Sequence, residues 1–130
     1  MERRVINPWT WQENFGFNHG HEVTGAERTL YLAGQVSLDD NGELVNEGDL
    51  VGQINKSIDN IEAVLAAADM TLANIVRLNV YTTDVDALIE NAAALGRLNA
   101  GGAQYTSTLL GVARLAFPEL LVELEATAVA

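Results

Sequence analysis

The chain contains no cysteine, which excludes disulfides, thiolate nucleophiles and cysteine-bound zinc together. Histidine is scarce too, at 2 residues. His19 and His21 have strand spacing with Glu22 beside them, yet zinc usually takes three or four protein ligands and no further His or Cys completes a set. No metal is expected. Cations are few, with 7 Lys and Arg against 18 Asp and Glu for a net charge of −11. Nucleic-acid binding draws most of its affinity from Lys and Arg displacing counterions, so nucleic acid and anionic membranes are poor partners for this chain. No apolar run is long enough to span a bilayer, and none of signal-peptide length follows Arg3-Arg4; a cytoplasmic protein is expected. A phosphate loop is missing as well, because Gly101-Gly102 has no following lysine and lacks the flanking strand and helix.

What remains is an ordinary globular composition. The 130 residues are 48% hydrophobic, without low-complexity tracts, which predicts one domain over residues 1–130. Arg4 to Asn7, Glu22 to Gly25 and Thr29 to Val36 read as strands of an antiparallel meander, with Gly25-Ala26-Glu27-Arg28 as a hairpin connection. Asp39-Asp40-Asn41-Gly42 marks a sharp turn. From Asp49 to Ala68, Val51, Ile54, Ile58, Ile61, Leu65 and Ala68 recur at helical intervals, the stripe of a helix lying on a sheet, with Asp49 as its cap. Ile75 to Thr83 alternates Val76, Leu78 and Val80 against Arg77, Asn79 and Tyr81, the period of a strand. Asp84-Val85-Asp86 opens a second, Ala-rich helix to Leu98, and Tyr105 to Val112 and Leu120 to Ala128 close the chain as strands. The order β-β-β-α-β-α-β-β gives two helices on one sheet face. The other face then needs a partner, and oligomerisation through the sheet is expected.

On the last strand Glu123 and Glu125 are two residues apart, hence on one face, opposite Val122, Leu124 and Ala126. A carboxylate beside apolar neighbours binds its proton more tightly and suits proton transfer, although a polar edge strand has the same pattern. Ser107, flanked by Thr106 and Thr108, lacks a nucleophile elbow and reads as a strand hydroxyl. Trp9 and Trp11 could wall a ligand site, but at least one is expected to close the core. His19 and His21 are expected to be surface or pocket-lining histidines that bond locally.

Leu32-Ala33-Gly34-Gln35-Val36, the helix through Ile58-Asp59-Asn60-Ile61-Glu62-Ala63-Val64-Leu65, the strand Val76 to Asp84 and the ending Val122-Glu123-Leu124-Glu125-Ala126 together resemble the Rid family, also called YjgF. The match spans nearly the whole chain. The resemblance implies a chorismate-mutase-like α+β fold and a homotrimer with small-molecule clefts between subunits. It also implies hydrolysis of enamines and imines to ammonia and a keto acid, with no metal or organic cofactor. In those proteins an arginine on the penultimate strand grips the substrate carboxylate; Ser107 stands at that position and Tyr105 at the usual proline two residues earlier. Arg114 lies seven residues beyond the arginine position. A tyrosine found in the N-terminal part of the cleft corresponds to Phe17, whereas Glu123 matches the water-handling glutamate. The expected site is therefore Glu123 as catalytic residue with Ser107, Phe17, Tyr105 and His19 contacting substrate. Losing a bidentate guanidinium costs several kcal/mol of carboxylate binding, which predicts a substrate less anionic than the family's usual one. A noncatalytic trimer binding a metabolite or partner in the same clefts is the alternative, and the ribonuclease label sometimes given to this family fits the acidic chain poorly.

Overall fold

A computed structural model describes all residues from Met1 to Ala130. Its elements are β1 (Glu2–Ile6), a 3-10 turn (Trp11–Phe15), β2 (Gly20–Thr24), β3 (Thr29–Tyr31), α1 (Leu50–Ala67), β4 (Ile75–Thr82), α2 (Val85–Glu90), α3 (Gly96–Ala100), β5 (Thr106–Gly111) and β6 (Val122–Val129). Four strands form one mixed sheet in the order β3-β6-β4-β5, and β1 and β2 form a separate hairpin. The β4–β5 pair is parallel, joined by a crossover through α2 and α3, while β3–β6 and β4–β6 are antiparallel.

The helix α1 follows its stripe. Ile54, Ile58, Ile61 and Leu65 are fully buried against the sheet, and Asp49 Oδ1 accepts from Gly52 N at 2.9 Å to cap the first turn. Asp69, at φ 56°, turns the chain out of the helix in the left-handed conformation that C-termini favour. Two polar residues share the buried stripe. Gln53 Nε2 donates to Asn46 O and Glu119 O, and its Oε1 accepts from Leu121 N at 2.8 Å. That amide thus fastens α1 to the segment that leads into β6.

The second helix is not continuous as the pattern predicts. Asn91 Nδ2 donates to Ala87 O at 2.8 Å, competing with the backbone ladder, and Ala92–Leu95 winds as a 3-10 turn before α3. Only Leu88 and Leu98 of this stretch are fully buried, so packing does not enforce a single axis, and Gly96 adds a weak helix former.

The meander also differs from expectation, because β2 does not pair with β3. Glu27 N and Arg28 N both donate to Ala130 O at 2.9 Å, which carries the chain across to β6 instead. The predicted strand Thr29 to Val36 pairs regularly only through Tyr31; after Leu32 N, which donates to Ala126 O at 3.0 Å, it leaves β6 and touches again at Gln35, whose N donates to Leu124 O at 2.7 Å. Gly34 sits in that departure.

Along β6, Val122, Leu124, Ala126 and Ala128 are buried beneath the helices, and Glu123, Glu125 and Thr127 project from the opposite, open face. On β4, Leu78, Val80 and Thr82 are buried while Arg77, Asn79 and Tyr81 line the open face. The helices therefore cover one face only.

Candidate functional site

On the open face the register places Tyr81 opposite Glu123 and Asn79 opposite Glu125. Glu125 Oε1 accepts from both Tyr81 Oη and Asn79 Nδ2, each at 2.9 Å. These two donors hold the Glu125 carboxyl below its ordinary proton affinity, the Asn79 bond first and Tyr81 second. Its acceptance in turn keeps the Tyr81 phenol protonated to higher pH. Glu123 has no such donors. Burial, followed by the charge of Glu125, raises its pKa above the usual carboxylate value. Two carboxyl groups on one strand are thus pushed apart in opposite directions.

Above them lies a cleft of about 390 Å³ lined in part by Tyr81, Arg114, Leu115, Glu123 and Glu125. Arg114 makes no ion pair; its Nη2 donates only to Ala116 O, at 3.5 Å. Gly34 lies against the Glu123 side chain. A Cβ built there would lie 2.5 Å from Glu123 Oε1 and 2.6 Å from its Cδ, so the glycine is what lets the Glu123 side chain lie against the departing β3 segment.

The other expected site residues gather elsewhere. Asn18 bridges Thr106 in parallel, its N donating to Tyr105 O at 2.8 Å, so Phe17 and His19 run beside Tyr105 and Ser107 and share their face. The register of Ser107 with the buried Leu78 places that face on the helix side. Ser107 and Glu123 therefore point to opposite faces of one chain's sheet. Tyr105 is 4% exposed within the core, and burial pushes its phenol up to about 12.

His19 is ringed by aromatic groups, with centroids at 4.7 Å to Trp11, 5.0 Å to Trp9 and 5.5 Å to Phe17. Its Nε2 is buried without a hydrogen-bond partner, as is Oε1 of the neighbouring Gln12. Neither tryptophan closes the core, contrary to expectation: Trp9 is 58% and Trp11 54% exposed. The reason is local. Trp11 opens the 3-10 turn and Trp9 precedes it, and Phe17 alone of this group packs on the core.

His21 is occupied structurally. Its Nε2 accepts from Arg3 Nε at 3.2 Å, which leaves Nδ1 to donate to Gln104 O at 2.7 Å. Burial and the adjacent Arg3 charge lower its pKa. Arg3 also donates to Ala73 O at 2.6 Å and Ile75 O at 3.1 Å, tying the hairpin to the start of β4.

Sequence reasoning missed Asn79, Tyr81 and Gly34 as neighbours of the glutamates. Period-two alternation placed Asn79 and Tyr81 on one strand face, but the register between β4 and β6 is a long-range property.

A family model described as Endoribonuclease L-PSP matches residues 16–130. YyfB of Yersinia pestis, a Rid-family protein of unknown function, is 41% identical over the whole of both chains, with a TM-score of 0.89. TdcF of E. coli, solved with bound serine, is 26% identical over 82% of this chain and 84% of that one, with a TM-score of 0.68. Protein DfrA of Myxococcus xanthus is 33% identical over 60 residues, 46% of each chain. The match thus spans about half the length of such curated relatives.

Proposed function

The chain belongs to the Endoribonuclease L-PSP family, the Rid or YjgF proteins, and from that premise we propose that it is a cofactor-free hydrolase of enamines or imines acting in clefts between the subunits of a homotrimer. The observation that carries this reading is the partly buried Glu123, its proton affinity raised beside a fixed Glu125. A carboxylate tuned upward toward neutral pH can serve as both base and acid. As water adds to the imine carbon, Glu123 takes a proton from it. The same proton goes to the nitrogen, giving a carbinolamine; Glu123 then moves the carbinol hydroxyl proton to the amino nitrogen as the C–N bond breaks, and the products are ammonia and a carbonyl compound. Water supplies the oxygen and the transferred hydrogens, so no oxidant or reductant enters.

A two-subunit cleft is supported by the placement of the residues. Ser107, Phe17 and His19 lie on the opposite sheet face from Glu123 within one chain, so a substrate touching both sets needs a second copy. Ser107, read at the family's arginine position, offers a hydroxyl in place of a charged fork, which favours a substrate less anionic than a 2-imino acid. Arg114 lines the Glu123 cleft and is the one cation placed to compete with that reading. Bound serine in TdcF supports a small polar ligand for this fold.

Ammonia release from paired enamines, with and without a carboxylate, tests the proposal. Turnover is expected with uncarboxylated substrates, and Glu123→Gln should reduce it at least about 100-fold. No turnover above buffer, or full activity in Glu123→Gln, rules out the enzyme. A carboxylate preference abolished by Arg114→Ala would overturn the less anionic substrate. The absence of a guanidinium at Ser107 favours one other reading, a noncatalytic trimer that binds a metabolite or partner; ligand-dependent thermal stabilisation without product is its signature.

A further inference from the structure

Glu123 is assigned its proton-transfer role above; what the structure adds is the apparatus around it. Four side chains share the open face, Glu123 and Glu125 from β6 and Asn79 and Tyr81 from β4, and hydrogen bonds connect three of them. Both donors converge on a single oxygen, Glu125 Oε1. No donor side chain reaches Glu123, whose neighbour across the departing strand is the bare backbone of Gly34. The asymmetry is geometric. One carboxylate is clamped from two sides, and its twin, two residues away on the same face, is left to a glycine and a cleft.

The geometry points to Asn79 and Tyr81 as positioning residues that clamp Glu125 as a fixed anion, so that Glu123 is the carboxylate of the pair that gains and loses the proton. The two carboxyl groups share one strand face two residues apart, where a charge on one disfavours a charge on the other, and the group given donors stays charged while the other takes the proton. This inference rests on the hydrolase reading for its use and stands on geometry for its existence. The charged and titratable groups around Glu123 are few. Glu125 shares its strand, Tyr81 faces it from β4 with Arg77 beyond, Tyr31 lies on the open side of β3, and Arg114 comes from the loop after β5. Arg77 is turned away, its Nη2 donating to Thr108 Oγ1 at 2.6 Å. Arg114 is the remaining cation able to offset the effect of Glu125.

The test is a titration of the glutamate side-chain carboxyl carbons by NMR on the intact chain, with the pH profile of ammonia release measured on the same variants. Two well-separated midpoints are expected, Glu123 above Glu125. Glu125→Gln keeps an oxygen for the two donors and removes the charge; it should bring the Glu123 midpoint down. The pH profile of ammonia release should move to lower pH with it. Tyr81→Phe should raise the Glu125 midpoint and narrow the gap between the two, with Asn79→Ser acting in the same direction. The spectra themselves show whether each variant is folded, and Arg114→Ala, which leaves the clamp intact, should preserve the order of the midpoints. A Glu123 midpoint that is the same in wild type, Glu125→Gln and Tyr81→Phe overturns the proposal even if the enzyme is active. A shifted midpoint in a protein that turns over no substrate upholds the clamp while the hydrolase reading fails.

Discussion

Glu123 carries a thermodynamic cost that follows from its surroundings. Because its native pKa is raised, the folded chain binds more protons than the unfolded one between the ordinary glutamate value and the native value. Stability therefore falls as pH rises through that window, and the deficit is complete above it. Glu123→Gln should melt at higher temperature than wild type at neutral pH, with the difference vanishing below about pH 4; equal melting curves at neutral pH would contradict the assignment. Gly34→Ala should act in the other currency. The added methyl pushes the Glu123 side chain from its place, so hydrolysis should fall well before stability does, measured as kcat/KM against Tm. That the two glutamates share a face was legible from the sequence, because the two-residue alternation of a strand is local. Their unequal roles were not. The clamp comes from Asn79 and Tyr81, some 45 residues earlier, and nothing in the local pattern specifies which residue of β4 meets which of β6.

At the level of elements, legibility tracked the strength of the pattern. Of the six stripe residues, Ile54, Ile58, Ile61 and Leu65 are fully buried and fixed α1, while Val51 in its first turn is exposed. The second helix had too thin a stripe to resist Asn91 and Gly96, and it broke. The β1–β2 hairpin illustrates a third case. Its pairing is local, but its attachment depends on Arg3, which reaches Ala73 O, Ile75 O and His21 across the molecule. Bonds to a charged donor are worth about 1.5–3 kcal/mol. Arg3→Ala should lose roughly 2 kcal/mol and speed amide exchange selectively in Glu2–Ile6 and Gly20–Thr24. Uniform exchange across all strands would show instead that the hairpin is held by its own pairing.

At the scale of the whole molecule, helices cover one sheet face and polar groups furnish the other. Asn79 Oδ1 is buried on that open face with no partner, an unmet acceptor of the kind that assembly satisfies. A sedimentation experiment at micromolar concentration should give three times the chain mass, and a monomer under those conditions would remove the two-subunit cleft from the proposal. The family resemblance supplied this expectation; periodicity supplied only the bare face.

The placement of the two tryptophans has a practical outcome. They are the whole tryptophan complement of the chain, they are both more than half exposed, and each stands within about 5 Å of the imidazole of His19. Intrinsic emission therefore samples this one surface and almost nothing of the core. Native fluorescence should already be red-shifted and partly quenched by His19, so unfolding will change its wavelength little. The same signal becomes a clean optical report of anything that enters beside Phe17 and Ser107, before its chemical identity is known.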